Sequence, residues 1–189
     1  MKFFTGSITV SALLGLVACG GTTAPLTFAE IDTAGDELAD RLASIPYTDP
    51  ATLPTSGSAT YDGYIRVEVA SAYVVAGEME MTASFAGAGD LSGRVYNVVG
   101  DDGFKYGGEL DLDNSILDRT ADTSIDYTYG MDMTGTLNGD GEDMVVDAYL
   151  LGDFTGLGHE YIEGVAEGTI TAGGIAQNIT GGGFVGEKR

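Results

Sequence analysis

Glu78-Met79-Glu80-Met81-Thr82-Ala83-Ser84-Phe85 is the stretch on which the fold turns. Its apolar residues Met79, Met81, Ala83 and Phe85 alternate strictly with Glu78, Glu80, Thr82 and Ser84. A period of two puts the first set on one face of a β-strand and the second on the other, whereas a helix would scatter both around its circumference. One face is therefore buried and the other wet.

The same rhythm runs in both directions from this stretch. Upstream it begins at Ser58, with Tyr61, Ile65, Val67 and Val69 opposed to Asp62, Arg66 and Glu68. Downstream, Leu91, Gly93 and Val95 face away from Ser92 and Arg94, and Leu110 and Leu112 from Glu109, Asp111 and Asp113. Ile125, Tyr127, Tyr129, Met131 and Met133 predict a long fifth strand whose parity Gly135 and Leu137 continue. Asn138-Gly139 then signals a tight hairpin. Met144, Val146, Ala148 and Leu150 predict a sixth strand, Ile162 to Ile170 a seventh and Ile179 to Val185 an eighth. The last two carry glycine at inner positions, which suits close backbone approach or a barrel corner.

Eight successive strands with short turns predict an all-β fold, an antiparallel up-and-down β-barrel without a free edge. A two-sheet sandwich is the alternative that the same alternation allows. At eight strands the lumen is either filled by side chains or just wide enough for one small ligand, and the pattern leaves both open. The outward face is densely acidic, so it should meet water rather than lipid, and a transmembrane barrel is not expected.

Ahead of the strands the period is helical. Phe28, Ile31, Leu38, Leu42 and Ile45 fall on one stripe, and Thr27 with Glu30 three residues later offers a capping box. A short amphipathic helix is expected, with Gly35 as a candidate break. Pro46, Pro50 and Pro54 forbid its continuation and mark an extended connector.

The first residues read as a targeting signal. Lys2 supplies a positive start and Ile8 to Val17 an apolar run too short to cross a bilayer. Leu16-Val17-Ala18-Cys19-Gly20 resembles the lipobox of bacterial lipoproteins, which implies cleavage before Cys19 and its lipidation. Cys19 is the only cysteine, so no internal disulfide can form. Acyl chains there would anchor the protein stably, and Gly20 is compatible with passage to the outer membrane. The expected organisation is a signal peptide over 1–18, a lipidated cysteine and tether over 19–26, a helix and connector over 27–52, and the barrel over 53–189.

The formal charge of -21 becomes -22 once the leader with Lys2 is removed (-21 minus +1). Such a surface repels nucleic acids and anionic headgroups, so nucleic-acid binding is excluded. His159 is the only histidine, which excludes catalytic triads and two-histidine metal sites. It sits beside Glu160 in a glycine-rich stretch and reads as an exposed loop residue, with a single ligand-orienting role as the alternative. Tyr127 and Tyr129, in line with Met131 and Met133, read as barrel filling; a haem-ligating stripe is the alternative. Asp101-Asp102, Asp111 with Asp113 and Asp118, and Asp140 with Glu142 and Asp143 are acidic clusters, but none has the spacing of a calcium loop. Inward strand positions carry almost no acids, so the paired carboxylates of a glycosidase are not expected.

Leu53-Pro54-Thr55-Ser56-Gly57-Ser58-Ala59-Thr60-Tyr61-Asp62-Gly63 resembles the entry strand of the barrel domain of transferrin-binding protein B and related surface lipoproteins. Gly181 to Arg189 is similar to that family's terminal strand, and Phe154-Thr155-Gly156 with Glu160 and Gly164 to the segment leading into its seventh strand. The resemblance covers Leu53 to Arg189 and implies a single-barrel relative of that family. It departs at Leu157-Gly158-His159, where the family has Pro-x-Ala. What it implies is a lipid-anchored, non-enzymatic binding protein, at the periplasmic face or the cell surface, capturing a protein or a haem or iron ligand. No cofactor or metal is expected, and the chain should be a monomer. A structural or protective acidic lipoprotein without a small ligand is the alternative.

Overall fold

The computed structural model describes residues 25–70, 73–139, 141 and 143–189. The leader, Cys19, most of the tether, Asp140 and Glu142 lie outside the described residues.

A helix, α1 (Phe28–Leu42), precedes eight strands: β1 (Ser58–Val69), β2 (Tyr73–Ser84), β3 (Asp90–Gly100), β4 (Leu110–Leu117), β5 (Tyr129–Asn138), β6 (Asp143–Thr155), β7 (Tyr161–Ala172) and β8 (Ile175–Lys188). Every strand pairs antiparallel with its sequence neighbour, and β8 returns to β1, closing the barrel. The open sandwich is thereby set aside. The closing seam brings Tyr61 opposite Lys188 and Gly63 opposite Gly186, so the end of segment 53–63 pairs with the end of segment 181–189.

The alternation read from the sequence is the lumen. Met79, Met81, Met131, Leu91, Leu112 and Leu150 fill its middle, each no more than 1 % exposed. Tyr61, Phe85, Tyr129, Phe154 and Phe184 fill one end, with Phe154 at 6.0 Å from Tyr61, 5.8 Å from Phe85 and 5.2 Å from Tyr129. Valines, Leu110, Leu137 and Ile170 fill the other. The residual void there is about 20 Å³, room for no more than a water molecule. Gly152 and Gly164 face each other across β6 and β7. A Cβ on Gly152 would meet the rings of Phe184 and Tyr129 at 2.7 Å, and one on Gly164 the ring of Phe184 at 2.6 Å. Those glycines make the space the aromatic end occupies.

α1 lies outside the barrel, against β1, β2 and β8. Its N-terminus is closed by the capping box, Thr27 N–H donating to Glu30 Oε2 at 2.8 Å while Thr27 Oγ1 accepts from Glu30 N–H; such a cap contributes about 1 kcal/mol. Leu26 and Phe28 pack with Ile31 on Ala76 and Val99. A bulge makes this contact: β3 gains a residue at Asn97 (φ 49°) opposite Gly77, so Val98 turns into the lumen while Val99 turns out beneath the helix.

Four expectations need correction. Gly35 does not break α1; it brings the helix against Tyr64, whose Cβ would lie 3.5 Å from a Cβ at Gly35. The fifth strand starts at Tyr129, because Asp122 turns the backbone: its carboxylate accepts from Ser124 N–H and its carbonyl from Ile125 N–H. Ile125 and Tyr127 therefore belong to a loop. Asn138 pairs with Asp143, which leaves positions 139–142 as the connection instead of a two-residue turn. The true two-residue hairpin is Gly173-Gly174, with φ of 55° and 77°, and it starts the eighth strand at Ile175 rather than Ile179.

Candidate functional site

With the lumen packed, any site must lie on the exterior, and the two ends of the barrel differ. One end carries the connections 70–72, 101–109, 139–142 and Gly173-Gly174. The other gathers the connector 43–57 and the loops 85–89, 118–128 and 156–160, which together form a crown over the aromatic end of the lumen.

The connector joins the crown by backbone pairing. Thr48 N–H donates to the Phe154 carbonyl at 2.8 Å and Gly156 N–H to the Pro46 carbonyl at 2.9 Å, with Tyr47 bridged to Thr155. Arg119 ties three parts together: its Nη1 donates to the Leu53 carbonyl and its Nη2 to the Phe85 carbonyl, both at 3.0 Å. Within loop 118–128, the Asp118 carboxylate accepts from Thr120 N–H and Oγ1, and Asp122 from Ser124 N–H and Oγ. These bonds favour the ionised form and hold both carboxyls below the ordinary range. The loop is thus braced by its own acids.

Beneath the crown lies a buried carboxylate that the sequence did not reveal. Asp153 occupies an outward position on β6 yet is 4 % exposed. Its Oδ1 accepts from Thr128 N–H at 2.9 Å and Thr128 Oγ1 at 2.7 Å, and Thr128 is itself wholly buried. Burial raises its pKa, partly opposed by those two bonds. Glu163 stands opposite it across β6 and β7 and accepts from Thr155 Oγ1 at 3.3 Å. The Tyr47 hydroxyl is pushed up by burial and then by the carboxylates of Glu163 and Asp153. Glu163 borders the recess beside α1, of which Asp153 is not part.

The remaining predicted residues are dispersed. His159 is half-buried, its ring edge-on to Phe85 at 5.1 Å, while its carbonyl accepts from the Tyr61 hydroxyl at 2.9 Å. It is a stopper for the aromatic end and not a bare loop residue. Burial, then Lys188 with its Nζ 3.2 Å from Nε2, lower its pKa. Tyr129, Met131 and Met133 are in the packed lumen, and Tyr127 is in the crown. The Tyr129 hydroxyl is fully buried without a hydrogen-bond partner, and its pKa is raised well above the ordinary value by that burial. Asp102 accepts from Phe104 N–H in a turn, Asp113 faces Asp132 across β4 and β5, and Asp143 accepts from Asn138. Among the described residues no group of three or more His, Cys, Asp or Glu could hold a metal ion.

Two recesses of about 400 and 460 Å³ flank α1. Their charges bind one another: Arg66 reaches Asp32 at 3.2 Å and Glu68 at 2.8 Å, and Arg41 reaches Glu187 at 2.9 Å. The pairs of Arg66 with Asp32 and Arg41 with Glu187 join the helix to the barrel, whereas that of Arg66 with Glu68 lies within β1. The crown differs, because large apolar side chains stand bare on it. Leu157 is 95 % exposed, Ile125 78 % and Ile116 66 %, with Tyr47 and Tyr127 partly covered. Among the described residues only Val145 and Ile175 share that character, and both begin strands at the far end. Sequence reasoning missed the crown because each of these residues, read alone, is an isolated apolar residue.

The molecule is an eight-stranded up-and-down barrel with an external helix and a packed lumen. Comparison with protein-family models, with curated proteins and with solved structures finds no match.

Proposed function

We propose that this chain is a lipid-anchored, non-enzymatic binding protein of the bacterial envelope, held at Cys19, that captures a protein partner on its crown. One contrast carries the reading: the lumen is packed, with a residual void of about 20 Å³ at one end, while five of the seven exposed large apolar side chains among the described residues stand at the crown end. A surface of this kind is characteristic of protein recognition. The likeness of 53–63 and 181–189 to the barrel of transferrin-binding protein B supports the same class, as does the lipobox-like Leu16 to Gly20.

The position of the anchor agrees. The described chain enters at Pro25, and the next carbonyl, that of Leu26, accepts from Asn97 Nδ2 at 3.2 Å, near the end opposite the crown. Cys19 lies six residues before Pro25, a span of at most about 20 Å. Strands of 12 residues, tilted as in other barrels, put the crown about 30 Å further along. A lipid on Cys19 would therefore turn the crown away from its membrane.

A photo-activated cross-linking residue placed at Leu157, and separately at Ile175, tests this in intact cells. The binding reading expects a protein adduct from Leu157 and none from Ile175. Absence of an adduct from both would favour a protective acidic surface, for which the outward row Asp113–Asp132 and the neighbouring Asp111, Asp147 and Glu167 speak. Titrating the purified mature chain with haemin decides the haem version, since a ligated iron would shift the Soret band at micromolar protein.

A further inference from the structure

We infer that the crown's partner is a cationic protein segment carrying large apolar side chains. This rests on the binding role proposed above and names the chemistry of that same surface. The segments that carry the apolar residues Tyr47, Ile125, Tyr127 and Leu157 meet at one strand end: Tyr47 is bridged to Thr155, two residues before Leu157, and Tyr127 adjoins Thr128, which is bound to Asp153. The same segments carry Asp49, Asp118, Asp122, Asp126 and Glu160, with Glu163 at the adjoining start of β7.

Two cations stand at the crown itself: Arg119, which donates to two carbonyls, and Lys188, which lies against His159. Arg189 is paired with Asp62 and with Glu80 at 2.6 Å on the flank of the barrel. The six carboxylates outnumber those two cations, so the field over the crown is negative, and a chain of net charge -21 reinforces it. An apolar centre inside a charged rim is the ordinary anatomy of a protein interface, with the centre giving affinity and the rim giving partner choice. The rim's sign decides among occupants. A second copy brings the same negative rim, and an anionic lipid surface is repelled. A basic segment with exposed Leu, Ile or aromatic residues is complementary in both respects. The bonds of Asp118 and Asp122 to their own loop hold the surface ready, so little order has to be imposed on binding.

Fluorescence anisotropy with three labelled peptides tests this on the whole mature chain: an amphipathic Lys/Leu peptide, the same peptide with Glu for Lys, and the same with Ser for Leu. The Lys/Leu peptide should bind at least about tenfold more tightly than either relative, and weaken as salt is raised. Ile125→Ser with Leu157→Ser should lower its affinity about tenfold, while Val145→Ser with Ile175→Ser at the far end should change it less than about twofold. Equal loss from the two pairs, no loss from either, or equal binding of the Lys/Ser peptide would overturn the inference in favour of diffuse attraction to an acidic surface. Binding of the Glu/Leu peptide, or of phosphatidylcholine–phosphatidylglycerol vesicles, would overturn it outright. Cross-linking at Leu157 reads independently of partner charge. An adduct there with failure of the Lys/Leu peptide removes only this inference, whereas peptide binding without any cellular adduct removes the role beneath it.

Discussion

Replacing Asp153 separates what a buried carboxylate gives the crown as an acceptor from what it costs as a charge. In Asp153→Ala, the N–H and Oγ–H of the wholly buried Thr128 lose their acceptor together. Buried donors left unpaired cost about 1–3 kcal/mol each, and the second shares part of the first's penalty. A loss of about 3 kcal/mol is expected, which for a domain of this size lowers Tm by roughly 10 °C. Asp153→Asn keeps the carbonyl oxygen and should cost far less. The two variants also differ in pH dependence. Because burial raises the Asp153 pKa above 3.8, the folded chain holds this proton more tightly than the unfolded one. Its contribution is favourable at low pH and is lost as pH rises from 3.8 through the raised value. Wild type should therefore gain stability relative to Asp153→Asn as the solution is acidified across that window, as read by urea unfolding from pH 7 to pH 4. Parallel wild-type and Asn profiles would refute the burial account, and an Ala variant within about 0.5 kcal/mol of wild type would refute the acceptor account.

The same geometry sets three further outcomes. Gly164→Ala drives a Cβ into the Leu151 carbonyl and to 2.6 Å from the Phe184 ring; it should destabilise by at least about 1–3 kcal/mol in urea unfolding, and a neutral result would mean that the seam yields easily. Thr27→Ala opens the capping box and should cost about 1 kcal/mol, visible as faster amide exchange confined to the first turn of α1 and not in β5 or β6. Cys19→Ser should abolish incorporation of an alkyne-tagged fatty acid and release the protein from the membrane fraction; label retained in that variant would remove the anchor.

The barrel was legible because its strands keep a two-residue rhythm over most of their length against an acidic outer face, and the Thr27–Glu30 cap was legible because it is local. Bulges were not. Asn97 and Asn114, both at φ 49°, break the alternation just where it would have been used to assign Val99 to the helix contact and Ile116 to the surface. The crown was illegible for a different reason. Asp153 looks like any outward acid until a connector more than a hundred residues earlier in the chain closes over it. Tyr127 has the parity of Tyr129, and only the Asp122 turn removes it from the strand. What a single sequence exposes is the period of each element; which element covers which is decided by contacts that no local pattern encodes.

The filled lumen and the crown are one construction. Opening the aromatic end for a ligand would require displacing Phe154, which lies within 6.0 Å of Tyr61, Phe85 and Tyr129. Removing such a ring costs about 3–5 kcal/mol, comparable to the whole binding free energy of a weak small ligand. The same stack supports the surface above it. Phe85 gives its carbonyl to Arg119 and its ring to His159, Tyr61 holds the His159 carbonyl, and Phe154 gives its carbonyl to Thr48. Each crown segment is thus tied to a residue of the plug, so the partner proposed above would meet a surface already ordered by the core. Emptying the lumen for a guest would remove that foundation.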